Sequence, residues 1–174
     1  RRLMIGWSGC PDATAENPTV ARGWQCALTV PRELSMRDGK LCQQPAYEIE
    51  RMRGDCVRAT GGETVEEPGR LFDVVVSCEG AKMVELEIRK GVFVRYADGM
   101  LTLDMGDEGY GRDQRSIELS ELRDLRVLSD TTMVEIFANG GEAALTSRTY
   151  SPAVPAMGLH AESAASMDFY RLAH

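Results

Sequence analysis

The chain has 174 residues, a formal net charge of −7 at pH 7 and a hydrophobic content of 43%. Its surplus of carboxylates repels phosphate backbones and anionic lipid head groups, so we expect neither nucleic acid nor a membrane surface as a partner. The apolar share is too high for a disordered chain, and the length suits one domain, or one domain with a piece of another.

The first 44 residues contain short apolar segments separated by a long loop. The run 3–7 predicts a strand, 24–30 predicts another, and Asp38-Gly39 indicates a small hairpin. Pro45 is expected to open a short helix that ends at Arg53, because a proline loses no hydrogen bond in the first helical turn. Residues 54–69 have the composition of a linker that could hold one strand.

From about residue 70 onward, apolar and polar residues alternate with the period of a half-buried strand. Val84, Leu86 and Ile88 alternate with charged residues in a clear example. Asp98-Gly99 and Asn139-Gly140 stand between such runs, and these pairs suit tight turns that need positive φ. Many short strands with regular turn signals predict an all-β sandwich or barrel.

The five cysteines are scattered, without a CxxC pair, at Cys10, Cys26, Cys42, Cys56 and Cys78. This spacing gives no support to a zinc ribbon or a thioredoxin-type redox site. The sequence has no apolar run long enough for a membrane span and no signal peptide at its start. Free thiols in a chain of this kind favour the reducing cytoplasm.

Few residues offer catalytic chemistry. The only histidines are His160, inside a predicted strand, and His174, and no phosphate-binding loop or metal-ligand spacing is present. We therefore expect no cofactor and no metal. The strand carboxylates are interpreted as a solvated sheet face rather than a glycosidase pair; they are Glu85, Glu87, Asp104 and Glu135. Trp7 and Trp24 are expected to pack in the core, the usual place for large aromatics.

Two blocks of sequence resemble a known family. The segments Leu28-Thr29-Val30-Pro31-Arg32-Glu33-Leu34 and Val134-Glu135-Ile136-Phe137-Ala138-Asn139 are similar to its L-T-L-P-R-E-L and V-E-I-F-x-N patterns. Ile5-Gly6-Trp7 and Gln43-Gln44-Pro45 also match, and Arg115 falls where an arginine is frequent. On these motifs the chain resembles the late part of glycoside hydrolase family 32, which includes invertases, β-fructofuranosidases and sucrose-6-phosphate hydrolases.

The resemblance implies an all-β fold of two parts, a five-bladed β-propeller followed by a C-terminal β-sandwich. Residues 1–44 would be the last blade of an incomplete propeller, 45–54 a short helical linker, and 55–174 the sandwich. The abrupt beginning at Arg1 would then be the cut edge of the propeller. A blade without neighbours should expose apolar surface, pair with a second copy or fold back onto the sandwich.

The resemblance also implies what is missing. The family's Asp nucleophile, transition-state Asp and acid/base Glu lie in the motifs W-M-N-D-P-N, R-D-P and E-C-P, none of which occurs in this sequence. We therefore assign no catalytic residue and predict that the chain alone does not hydrolyse sucrose. Trp7 is the one position carried over, as the tryptophan that helps line the fructosyl pocket, with sucrose or sucrose 6-phosphate as the parent enzyme's substrate.

The sequence also allows two other roles for this chain. A stand-alone fructan-binding sandwich would need a cluster of exposed rings, for which Phe93 and Tyr96 are candidates. A purely structural or dimerisation domain would instead use the sandwich for homo-oligomer contacts.

Overall fold

The computed structural model describes residues 1–9 and 16–173, and in these ranges the chain is almost entirely β-strand. Its two largest elements are six-stranded antiparallel sheets stacked face to face. Their apolar inner faces form one core, with Phe72, Leu86, Ile136 and Phe169 fully buried. This arrangement confirms the predicted β-sandwich.

The N-terminal part contributes five short strands in two small sheets. Strands β1, β4 and β5 form a three-stranded sheet, and β2 pairs with β3. Their bounds are β1 Arg2–Met4, β2 Trp7–Ser8, β3 Ala27–Leu28, β4 Arg32–Arg37 and β5 Lys40–Pro45. A 3₁₀ helix at Pro18–Arg22 lies between β2 and β3. The strand predicted over 24–30 is thus reduced to two residues.

The first sandwich sheet has the strand order β12-β11-β10-β9-β16-β7. Its strands are β7 Thr64–Glu66, β9 Met83–Arg89, β10 Val92–Ala97, β11 Met100–Asp104, β12 Gln114–Glu118 and β16 Ala156–Ala161. A short 3₁₀ helix at Gly106–Gly109 joins β11 to β12. The β10–β11 turn has positive φ at Asp98 and Gly99, as that dipeptide predicts.

The second sheet has the order β15-β14-β13-β8-β17-β6. Its strands are β6 Arg53–Thr60, β8 Phe72–Ala81, β13 Leu122–Ser129, β14 Met133–Ala138, β15 Ala143–Arg148 and β17 Ser166–Leu172. The predicted hairpin between β14 and β15 is present, and Asn139, Gly140 and Gly141 all have positive φ. The edge strands β12 and β15 of the two sheets contact each other at one side of the sandwich.

Two sequence-based expectations in the middle of the chain are wrong in detail. Pro45 ends strand β5, and the helix that follows is a 3₁₀ helix over Tyr47–Met52. The stretch 54–69 is no linker, because it forms most of β6 and all of β7. Strand β6 is an edge strand with an exposed outer side, so it needs few of the apolar residues that would reveal it.

The N-terminal part both exposes apolar surface and folds back onto the sandwich. Of the large apolar side chains that are exposed in the described ranges, all but Val57 belong to residues 1–52; they include Leu3, Ile5, Leu28, Met36 and Leu41. The β4–β5 hairpin in turn contacts the β14–β15 hairpin, where the Gln43 N–H donates to the Gly141 carbonyl over 2.9 Å. Both outcomes were among the three expected for this segment.

Candidate functional site

Trp7 lies on the surface, not in a core. It pairs with Leu28 across the β2–β3 ladder, and 61% of its surface is exposed. The chain turns directly beneath the indole, since a Cβ placed on Gly9 would stand 2.1 Å from Trp7 Cζ2. Glycine at position 9 therefore lets the backbone pass under the ring, which presents its open face to solvent. The expectation of core packing is wrong for Trp7 because β2 has no apolar layer to cover it.

Trp24 is also outside the core, with 41% of its surface exposed. Its ring centroid lies 5.3 Å from the guanidinium carbon of Arg148, and the ring of Tyr150 lies 5.5 Å from the same carbon. The two rings therefore cover a cation rather than fill an apolar core. Core packing is wrong for this residue as well.

A cavity of about 270 Å³ opens beside Trp7, between β2 and the β12 and β15 edges of the sandwich, and we call it the Trp7 cavity. Among the described residues, four arginines and no acidic residue line it; the lining residues are Met4, Gly6, Trp7, Ser8, Gly9, Thr29, Arg32, Arg112, Arg115, Thr146, Ser147 and Arg148. In a chain of net charge −7, this is a locally basic site.

One of these arginines joins the N-terminal part to the sandwich. The Arg32 Nη2 donates to Glu135 Oε2 over 2.5 Å, and both side chains are almost fully buried. Glu135 also accepts from the Val30 N–H over 2.7 Å, while Arg32 Nη1 donates to Gln43 Oε1. This buried ion pair thus connects β4 to β14.

Glu135 corrects the expectation that the strand carboxylates form a solvated face. It alternates with apolar residues on β14, but the N-terminal part covers that face and leaves 3% of Glu135 exposed. Burial raises the pKa of the Glu135 carboxyl, and the hydrogen bonds from Val30 and Arg32 act in the opposite direction. The alternation was interpreted correctly as a strand, but it carries no information on what covers the polar side.

The other three strand carboxylates lie on the half-exposed face as expected. Arg95 forms ion pairs with Glu85 and with Asp104 on the neighbouring strands. Glu87 accepts a hydrogen bond from the Gly91 N–H over 3.0 Å. Each carboxylate therefore has a structural partner, and their positions suggest no glycosidase pair.

The remaining candidates contribute little to a site. His160 is an exposed strand residue, whereas His174 and Cys10 lie outside the described residues. In the described ranges the cysteines are free thiols, and no three His, Cys, Asp or Glu side chains are arranged to hold a metal ion. None of the helices described is long and apolar enough to cross a membrane.

Comparison with known proteins decides the family. The model of the glycosyl hydrolases family 32 C-terminal domain matches residues 85–172, and the model of the family's N-terminal domain matches residues 1–45. The chain belongs to glycosyl hydrolase family 32. The resemblance found in the sequence motifs is thereby confirmed.

Curated relatives in family 32 are longer than this chain. The raffinose invertase of Escherichia coli is 35% identical over 171 residues, which cover 88% of this chain and 35% of that protein. The sucrose-6-phosphate hydrolase of Salmonella typhimurium is 33% identical over 163 residues, which cover 88% of this chain and 32% of that protein. The chain therefore spans about a third of the length of these relatives.

Solved structures of the family support the fold. A sucrose-6-phosphate hydrolase from Lactobacillus gasseri aligns with a TM-score of 0.82 and 19% identity, over 98% of this chain and 38% of that one. A GH32 beta-fructofuranosidase from Bombyx mori aligns with a TM-score of 0.78 and 20% identity, over 99% of this chain and 38% of that one. At this identity the likeness concerns the fold alone.

The two sequence blocks that resembled family 32 meet in space. Arg32 of the first block pairs with Glu135 of the second, and Asn139 at the end of the second block presents its carbonyl to Arg37. Sequence reasoning found both blocks but missed their contact. It also missed Gly9 and Arg148, because neither a lone glycine in a loop nor a lone arginine at a strand end has a recognisable motif.

Proposed function

We propose that this chain forms the C-terminal portion of a cytoplasmic β-fructofuranosidase-type glycoside hydrolase that acts on sucrose or sucrose 6-phosphate. Its family membership supports the reaction class, and the activities for which its relatives are named support the substrates. Free thiols at Cys26, Cys42, Cys56 and Cys78 suit a reducing compartment. The catalytic motifs are absent from this sequence, so the activity would require the rest of the enzyme.

Within this proposal, residues 1–44 are the last propeller blade, 45–54 the linker and 55–174 the sandwich. The separate β1-β4-β5 sheet, with apolar side chains exposed on it, is what a blade lacking its neighbours would present. The sandwich would serve as a structural support that holds this blade through the Arg32–Glu135 pair. Homo-oligomer contacts through the sandwich stay a prediction.

The exposed indole of Trp7 is the observation that carries the proposal. The indole lines the Trp7 cavity and is 61% exposed, and Gly9 leaves room for the backbone to pass close to the ring. An aromatic face of this kind packs against the C–H surface of a sugar, while polar groups nearby fix its orientation. Trp7 would therefore form one wall of the fructosyl pocket. The alternative sugar-binding surface has less support, because Phe93 and Tyr96 lie on opposite faces of β10 and Tyr96 is buried.

The chain has only two tryptophans, so fluorescence can test Trp7 directly. In the variant W24F, Trp7 is the single indole, and we expect millimolar fructose to change its emission saturably. In the matched variant W7F, the remaining Trp24 should give no response to fructose. An equal response from both variants, or none from W24F, would contradict the assignment of Trp7.

A further inference from the structure

Arg148 is a buried cation for which no described residue is a hydrogen-bond partner. Only 3% of its surface is exposed, at the end of β15. None of its three guanidinium nitrogens is bonded to any of the residues that the structure describes. The rings of Trp24 and Tyr150 cover it at 5.3 and 5.5 Å. A guanidinium carries five N–H donors, so this side chain presents an unused donor set.

Such burial is unfavourable without a compensating anion. Removing a charged group from water costs more free energy than a cation–π contact returns. Another buried arginine of the chain, Arg89, shows the usual solution. Its guanidinium donates to Ser129 Oγ and to the carbonyls of Ser151 and Arg70. Arg148 differs from Arg89 in having rings around it but no acceptor in the described ranges.

The surroundings of Arg148 also lack negative charge. It lines the Trp7 cavity together with Arg32, Arg112 and Arg115, and no carboxylate of the described residues lines that cavity. Arg32 is neutralised by Glu135, but Arg115 is exposed and forms no ion pair with a described residue. Arg112 donates to the Glu16 carbonyl and to Asn17 Oδ1, and its Nε is unpaired within the described ranges. Three cations therefore converge without an anion from the part of the chain that the structure describes.

We propose that the Trp7 cavity binds the phosphoryl group of a phosphorylated sugar, with Arg148 and Arg115 as its cationic ligands. Guanidinium groups bind phosphate oxygens through short, charge-assisted hydrogen bonds. The cavity of about 270 Å³ is several times the volume of a water molecule, ~30 Å³, and so has room for this group. The sugar would lie toward Trp7, and in that respect the proposal rests on the proposed function.

Trp24 lies close enough to Arg148 to sense an anion that binds there. The centroid of its ring lies 5.3 Å from the guanidinium carbon, and 41% of Trp24 is exposed. Binding of an anion should therefore change the environment of Trp24. This gives the proposal a spectroscopic signature that is separate from the response of Trp7 to fructose.

The test uses the 174-residue chain at constant ionic strength, with inorganic phosphate, glucose 6-phosphate and glucose as probes. Both phosphates should raise the thermal midpoint saturably, and glucose should not; glucose 6-phosphate should bind more tightly than inorganic phosphate. In the W7F background, both phosphates should change the Trp24 emission. The exposed variant R115Q should weaken phosphate binding about tenfold, the loss expected for one charge-assisted hydrogen bond.

Variants of the two buried arginines form a matched pair. Without phosphate, R148M should be at least as stable as the wild type, because no hydrogen bond is lost, whereas R89M should be markedly less stable. R148M should also lose the response to phosphate, while the distant exposed variant R58Q should keep it.

A stabilisation that potassium chloride reproduces, or one that R148M retains, would overturn the proposal. Binding of inorganic phosphate without preference for the sugar phosphate would overturn the assignment of the ligand class. Failure of the proposed function would give a different result. Fructose would then leave the Trp7 emission unchanged, while phosphate would still change the Trp24 emission.

Discussion

At the scale of single residues, the Arg32–Glu135 pair has the largest structural consequence. Its two members come from sequence positions 103 apart, and each is hydrogen-bonded to further groups in the same interface. A buried ion pair is costly to break on one side, because the partner left behind remains buried and charged. The pair therefore specifies how the N-terminal part sits on the sandwich.

We expect the variant E135Q to lower the free energy of unfolding by about 3–5 kcal/mol, since it leaves Arg32 buried without its counter-charge. Urea unfolding followed by circular dichroism measures this. The matched control is E85Q, which breaks the half-exposed pair with Arg95 and should cost no more than about 1 kcal/mol. The double replacement R32M/E135L should cost less than E135Q alone, and similar losses for E135Q and E85Q would refute the argument.

At the scale of elements, the contact of the β4–β5 hairpin with the β14–β15 turn depends on a glycine. A Cβ at Gly141 would stand 2.0 Å from the Gln43 carbonyl oxygen, which is backbone and cannot rotate away. Gly39, in the turn of the β4–β5 hairpin, also has positive φ, yet its Cβ would meet nothing within 4 Å. A comparison of alanine variants at the two positions therefore separates the effect of backbone strain from the effect of a steric clash.

The variant G141A should therefore be less stable than G39A. Both introduce the strain of an alanine at positive φ, about 1 kcal/mol, and only G141A adds a clash that forces the hairpins apart, a further ~1–3 kcal/mol. Thermal unfolding of the two variants in parallel gives the difference. Equal midpoints would show that the hairpins do not need this close approach.

The same elements explain what sequence could predict. The turns at Asp98-Gly99 and Asn139-Gly140 follow from local chemistry, and both hairpins were predicted from it. Strand β6 was left open, as one strand that the linker-like stretch 54–69 could hold, because its pairing with β17 depends on residues 110 positions away, as in the register pair Arg58 with Asp168. The burial of Glu135 and of Trp7 was predicted wrongly for a related reason. Burial depends on which element covers a strand face, and the alternation of apolar and polar residues does not show this.

At the scale of the whole molecule, carboxylates join segments that are distant in sequence. Glu48 receives two hydrogen bonds from Arg1, Asp168 pairs with Arg58, and Glu142 pairs with Lys40. The Arg1 guanidinium lowers the pKa of Glu48 from 4.5 to about 2, and the pKa values of Asp168 and Glu142 are lowered by Arg58 and Lys40. These contacts depend on charge and therefore on pH.

The direction of this pH dependence of stability follows from the linkage between proton binding and folding. A carboxyl whose pKa is lower in the folded state stabilises the fold above its unfolded pKa, and this contribution is lost as pH falls through the folded pKa. We expect E48Q to melt below the wild type at pH 6, with the difference disappearing between pH 4.5 and about 2. The control D55N removes an exposed carboxylate that forms no ion pair within the described ranges, and should melt with the wild type at pH 6. Because the Arg1–Glu48 pair is exposed, 1 M salt should also reduce the difference, and a gap that persists at pH 2 would show that Glu48 acts through packing rather than charge.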